Sequence, residues 1–133
     1  MTRKKRKIRF TVGICAYNEE KTIGKLLDFL LKEKFENTQL DKIIVVASGC
    51  TDKTEDIVLE FGQKDNRVKL IRERKRRGKA SAVNKIIQKS TNRTIVLVSA
   101  DIVPAKGAIE KLVLPLQEAK VGMVGGRPVP RNK

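Results

Sequence analysis

The 133-residue sequence has no histidine and no tryptophan, one tyrosine and four phenylalanines. Without histidine the chain cannot itself supply a Ser-His-Asp triad, a Cys-His dyad or a His-ligated metal site. With aromatics at 4%, a surface that binds by stacking is not expected. The five aromatics (Phe10, Tyr17, Phe29, Phe35, Phe61) sit mostly on apolar stripes rather than among cations. Cysteine is scarce: Cys15 and Cys50 fit no Cys-x-x-Cys pattern and read as reduced, partly buried thiols of a cytosolic protein. No apolar run approaches the ~18 residues needed to cross a membrane. Nor is the basic start followed by a signal-peptide core, because Thr11, Gly13, Asn18, Glu19 and Glu20 come too soon. The expected location is the cytoplasm, with contact at the inner face of the cell membrane as the alternative.

Acids are outnumbered two to one by bases. Lys and Arg number 30 against 15 Asp and Glu, a net charge of +15. Residues 1–10 hold six cations and no acid, and residues 72–79 hold six cations and Glu73. These clusters carry +6 and +5 of the +15, which leaves +4 for everything else. The body of the protein is therefore only mildly basic. With 40% of residues hydrophobic, the chain can fold, and its length suits one domain with a real core.

Short apolar runs alternate with helical patterns. Strands are expected at Ile8–Ile14, Lys42–Ala47, Val68–Ile71, Thr94–Val98 and Val121–Val124. Helical stripes fall at Ile23, Leu26, Leu27, Leu30 and Leu31, then at Ile57, Val58 and Phe61, with Asp52 and Glu55 placed to cap the second. A third helix carries Val83, Ile86 and Ile87, and a fourth, opened by Pro104, carries Ile109, Leu112, Val113 and Leu116. Strands alternating with helices predict an α/β fold, a Rossmann-like three-layer sandwich with a mostly parallel sheet. Residues 1–7 read as a basic flexible tail and 8–133 as the domain.

In such a sheet, ligands bind beyond the carboxyl ends of the strands, where strand order reverses. Four segments follow strands: 15–20, 47–52, 74–79 and 99–101. Asp101 stands out, since a carboxylate after a buried strand is held rigidly. One such group can serve Mg²⁺ or Mn²⁺ when phosphate oxygens and water complete the shell. On spacing alone, a helix-capping Asp before Pro104 is equally supported. Gly49-Cys50-Thr51-Asp52 reads first as a tight turn with a capping Asp. Arg76-Arg77-Gly78-Lys79 is not a P-loop, because the first glycine would fall at Glu73 and Ala80 stands where Ser or Thr is needed. It is a cationic loop at a helix start, suited to phosphate or simply solvated. The glycines within 122–126 make a weak dinucleotide motif.

Taken together, Val12–Glu20, Ile44–Asp52, Arg77–Asn84 and Val98–Asp101 resemble the family 2 glycosyltransferases, which have the GT-A fold. Order and spacing match from Arg9 onward. The resemblance implies a nucleotide-sugar donor, Mg²⁺ or Mn²⁺, and inversion at the sugar carbon. Tyr17 and Glu19 match positions that help hold the nucleotide. Asp101 matches the last Asp of the family's D-x-D motif, the metal ligand, and Ala100 its middle position. Lys79 lies in the cationic segment bordering the donor pocket, and Arg127 matches a later phosphate-side arginine. The sequence departs from the pattern at Cys15, where Pro is usual, at Ala47, where a carboxylate often reads base or ribose, and at Ser99, where Asp is usual.

No residue matches the family's general base. The resemblance therefore implies the donor-binding part of a GT-A domain, truncated at the C-terminus with its acceptor side missing. The acceptor stays open, with lipid-linked and polysaccharide acceptors both in view. Residues 3–9 are candidates for contact with anionic lipid, where each nearby Lys or Arg adds ~1 kcal/mol, and a solvated tail is the equal alternative. Two other readings remain: a basic nucleic-acid-binding α/β module, which lacks any RRM, KH or zinc-finger pattern, and a non-catalytic glycosyltransferase-like fragment.

Overall fold

β-branched runs cannot stay exposed, and four of them lie side by side in the centre of the molecule. The computed structural model describes residues 8–75, 78–115 and 121–124. The elements are β1 (Ile8–Ala16), α1 (Ile23–Lys32), β2 (Thr38–Ser48), α2 (Thr54–Lys64), β3 (Val68–Glu73), α3 (Lys79–Lys89), β4 (Thr94–Ser99), α4 (Ala108–Val113) and β5 (Val121–Val124). The strands form one five-stranded sheet in the order β3-β2-β1-β4-β5, and every pairing is parallel. The order runs outward from β1 in both directions. The switch point is therefore the crevice between the carboxyl ends of β1 and β4. The expected tail, residues 1–7, lies outside the described residues.

The two faces of the sheet are covered unequally. On one, Phe10, Val12, Ile14 and Ala16 of β1 meet Ile23, Leu26, Leu27 and Leu30 of α1, Val58 of α2, and Ile109 and Val113 of α4. Phe35 closes this core edge-on against Phe10, with ring centroids 5.3 Å apart. Each large aliphatic side chain buried here contributes roughly 1.5–3 kcal/mol. The other face carries α3, whose Ala82 and Ile86 pack on Ile44, Val46 and Ile95. This is the three-layer α/β arrangement that the sequence predicts. The α3 layer sits close because β1 has no side chain at Gly13: a Cβ there would fall 2.6 Å from Ile86 Cγ2.

Several strands run one or two residues longer than expected, and two boundaries differ by more. β2 starts at Thr38 rather than Lys42, because its first residues pair with Ile8–Phe10 of β1. The pairing then skips Asp41, whose carboxylate accepts from Arg9 Nε at 2.9 Å and from Asn92 Nδ2 at 2.8 Å. α4 does not open at Pro104. The chain first turns through Gly107 at φ +81°, a left-handed conformation, and the helix begins at Ala108.

Candidate functional site

At the carboxyl ends of the strands lies a cleft of about 200 Å³. Cys15, Ala16, Tyr17 and Glu19 line it from the end of β1, Ser48 from β2, and Gly78, Lys79 and Ala82 from the start of α3. Strand pairing puts these ends together: Ala16 lies beside Ala47, and Cys15 beside both Val46 and Ser99.

The loops after β1 and β2 are stitched into one block. Asn18 sits at φ +52°, a conformation that Asn tolerates better than most residues. From there its Oδ1 accepts the backbone N–H groups of Thr51 at 2.8 Å and Asp52 at 3.3 Å. The Glu19 N–H donates to Thr54 Oγ1 at 2.8 Å, and the Lys53 N–H donates to Glu20 Oε1 at 2.9 Å. The Glu20 N–H reaches Asp52 Oδ2 at 3.2 Å, while Asp52 Oδ1 accepts the Thr54 N–H at 2.9 Å. The N-cap of α2 is Lys53, which makes no side-chain cap bond; Asp52, one residue earlier, instead takes up the N–H of the first helical residue and also ties down the neighbouring loop. Tyr17 and Glu19 are carried on this block.

Electrostatics separates the lining groups. Burial pushes the half-buried Glu19 carboxyl above its usual range, and the negative charges of Asp101 and Asp52 push it further. Glu19 therefore feels the end of β4. There, Asp101 is exposed, and its carboxylate accepts the Ser99 hydroxyl. The Cys15 thiol is raised by burial and by Glu73, against a lowering by Lys79, so it stays protonated at neutral pH. Cys50 is likewise raised, chiefly by burial. Neither thiol is a ready nucleophile.

Of the site residues expected from sequence, Tyr17, Glu19 and Lys79 line the cleft together. Ser99 and Asp101 sit at the adjoining strand end. Ala47, expected at the donor pocket, is fully buried, and the β2 side chain that lines the cleft is Ser48. Ala100 is buried in the larger core. Arg127 lies outside the described residues. Ser48, Gly78 and Ala82 are cleft residues that motif matching passes over. The two-residue period of a strand finds the first of them, since Ile44 and Val46 both face α3 and Ser48 continues that face.

Among the described residues no three or more His, Cys, Asp or Glu side chains gather as a metal cage. A hard cation at Asp101 would therefore need oxygen ligands from a bound diphosphate and water, which suits Mg²⁺ or Mn²⁺. The exposed Asp101 carboxylate, oriented by Ser99, fits that role.

Comparison with known proteins gives these residues a context. The family model for glycosyl transferase family 2 matches residues 11–133. The chain is 34% identical over 123 residues to a probable glycosyltransferase, YdaM, of Bacillus subtilis (strain 168), covering 90% of this chain and 29% of that protein. It is 29% identical over 121 residues to poly-beta-1,6-N-acetyl-D-glucosamine synthase of Staphylococcus epidermidis, covering 90% and 28%. Among solved structures it matches the mannosyltransferase PcManGT from Pyrobaculum calidifontis in complex with GDP-Man and Mn²⁺, with a TM-score of 0.74, 30% identity, and coverage of 88% of this chain and 34% of that one. It also matches S. aureus TarS 1-349 in complex with UDP-GlcNAc, with a TM-score of 0.70, 26% identity, and coverage of 93% and 37%. The chain spans 28% to 38% of the length of such curated relatives. The nucleic-acid module that the net charge raised finds no support among these matches. The parallel sheet, the cleft at the carboxyl ends of β1 and β2 and the match across residues 11–133 together place this chain in glycosyl transferase family 2, with a GT-A-type fold.

Proposed function

We propose that this chain is the donor-binding part of an inverting glycosyltransferase that takes its sugar from a nucleoside diphosphate. The convergence of Tyr17, Glu19 and Lys79 on one cleft, with Asp101 at the adjoining strand end, carries the reading. The ligands of two structural neighbours, GDP-Man with Mn²⁺ and UDP-GlcNAc, support the donor class and leave base and sugar open.

The chemistry follows from the leaving group. As the bond between the anomeric carbon and the diphosphate oxygen breaks, negative charge builds on phosphate. Lys79 and the amides at the start of α3, which take no side-chain cap bond, would stabilise it. Asp101, oriented by Ser99, would hold Mg²⁺ or Mn²⁺, which when bound neutralises diphosphate charge. Tyr17 and Glu19 hold the nucleoside side of the donor, and Ser48 supplies a hydroxyl at the cleft wall. Ala47 and Ala100, both buried, back the donor at the ends of β2 and β4, and Arg127 serves on the phosphate side. A hydroxyl or phosphate oxygen of the acceptor, polysaccharide or lipid-linked, forms the new bond from the opposite face, which inverts the carbon. No residue of this chain is assigned as general base. Residues 3–9 would hold the enzyme to anionic lipid at the inner face of the membrane. Among the described residues no helix is long and apolar enough to cross one.

Thermal melting tests the reading. GDP or UDP with Mn²⁺ should raise the melting temperature, and Asp101→Ala should remove most of that rise. No rise with any nucleoside diphosphate would overturn it.

A further inference from the structure

Glu73 ends β3 with its side chain fully buried. A buried carboxylate is costly unless its charge is paired and its oxygens are bonded. Two partners come from α3: Lys85 Nζ and Ser81 Oγ each lie 2.7 Å from Oε2. Burial pushes the Glu73 carboxyl up, yet hydrogen bonds from Lys85, Ser81 and Ser48, with the charge of Lys85, outweigh it and hold the carboxyl below its ordinary range. Oε1 takes no hydrogen bond from the described residues, so the anchoring runs through Oε2. The backbone takes part as well, for the Glu73 carbonyl accepts the Gly49 N–H at 2.8 Å.

These partners are the cleft's neighbours. Ser48 lines it, and so do Gly78, Lys79 and Ala82 around Ser81. Apart from the packing of Ala82 on Ile44 and Val46, little else among the described residues holds the start of α3. Its N-cap is Gly78 at φ +93°, which makes no side-chain cap bond. Its first backbone bond, from the Ala82 N–H to the Gly78 carbonyl, is long at 3.3 Å. Ser81 and Lys85 stand four residues apart, on one side of the helix, and both reach Glu73.

We propose that Glu73 is the positioning residue of the cleft: its buried carboxylate fixes the first turn of α3 against the end of β2, and so sets where Lys79 stands relative to Ser48. Glu73 does not itself line the cleft. The proposal rests on the cleft being a nucleoside-diphosphate site.

Two measurements on the whole chain test it. In hydrogen exchange, Glu73→Gln should speed the Ala82 amide by about tenfold or more while Leu26 and Leu27 of α1 keep their protection. An Ala82 amide that exchanges as before overturns the proposal. The second measurement is the dissociation constant for GDP or UDP with Mn²⁺ in wild type, Glu73→Gln, Lys79→Ala and the double variant. Glu73→Gln should weaken binding about fivefold, and that loss should vanish once Lys79 is gone. An equal loss in both backgrounds overturns the proposal, because Glu73 would then act independently of Lys79. Should Glu73→Gln fail to fold, Ser81→Ala removes a single hydroxyl and should show a smaller loss that vanishes in the same way. Wild-type protein that binds neither nucleotide overturns the functional reading, and the exchange result then decides the proposal by itself.

Discussion

One wall of the cleft, Ala16 to Glu19, belongs to a block in which side-chain oxygens of Asn18, Glu20, Asp52 and Thr54 take up backbone N–H groups across two loops. The other wall, the start of α3, has no side-chain cap; α3 is held by the packing of Ala82 and Ile86 on the sheet, close at Gly13, and by the bonds of Ser81 and Lys85 to Glu73. The first wall is fixed by many directional bonds of moderate strength each. The second depends on close packing and one carboxylate. Single substitutions should therefore act differently on the two. On the α3 wall, one change moves a whole helix, whereas on the loop wall it removes one stitch among several.

Gly13→Val should break the α3 wall most severely. A Cβ at this position already falls within 2.6 Å of Ile86 Cγ2 and 2.8 Å of Ile86 Cδ1, and a branched side chain leaves no room for small adjustments. We expect a loss of about 3 kcal/mol in urea unfolding, together with loss of the nucleotide-induced rise in melting temperature. Normal stability with normal nucleotide response would show that α3 is not seated by this contact.

Asn18→Ala tests the loop wall and should cost less. It removes the acceptor for two backbone N–H groups and places Ala at φ +52°. The remaining stitches from Glu19, Glu20 and Lys53 stay in place. A loss of about 1–2 kcal/mol is expected by the same unfolding measurement. A loss as large as that of Gly13→Val would mean that the block is held by Asn18 alone.

These two walls also differ in how plainly the sequence announces them. Ile44, Val46, Ile95 and Leu97 make β2 and β4 legible as buried strands, and the loops that follow them are then the places to look. The beginning of β2 is less legible, because Thr38–Leu40 becomes strand only through pairing with Ile8–Phe10. Pro104 suggests a helix start that the turn at Gly107 delays. At the site, matching by motif points to Ala47, whereas strand periodicity points to Ser48. Tyr17, Glu19 and Lys79 are pointed to by the resemblance of their segments to the family. Glu73 is not, since its role depends on Ser81 and Lys85 arriving through the third dimension. In sequence it is one acid within a basic cluster.

The smallest effect concerns the link between the loop wall and the end of β4. Burial is the larger cause of the raised Glu19 carboxyl, and the charge of Asp101 comes second. A carboxyl raised in the folded state holds more protons folded than unfolded, between its ordinary value and the raised one. Its contribution to stability therefore grows as pH falls through that window and is lost as pH rises through it. Asp101→Asn removes the nearby negative charge, so Glu19 should titrate at lower pH and this slope should flatten. The shift should be partial, because burial is untouched. A carbon-13 titration of the Glu19 side chain in metal-free wild type and variant measures it. A complete return to the ordinary carboxylate range would make charge, not burial, the dominant cause. An unmoved titration would uncouple Glu19 from Asp101 and separate the end of β4 from the cleft wall.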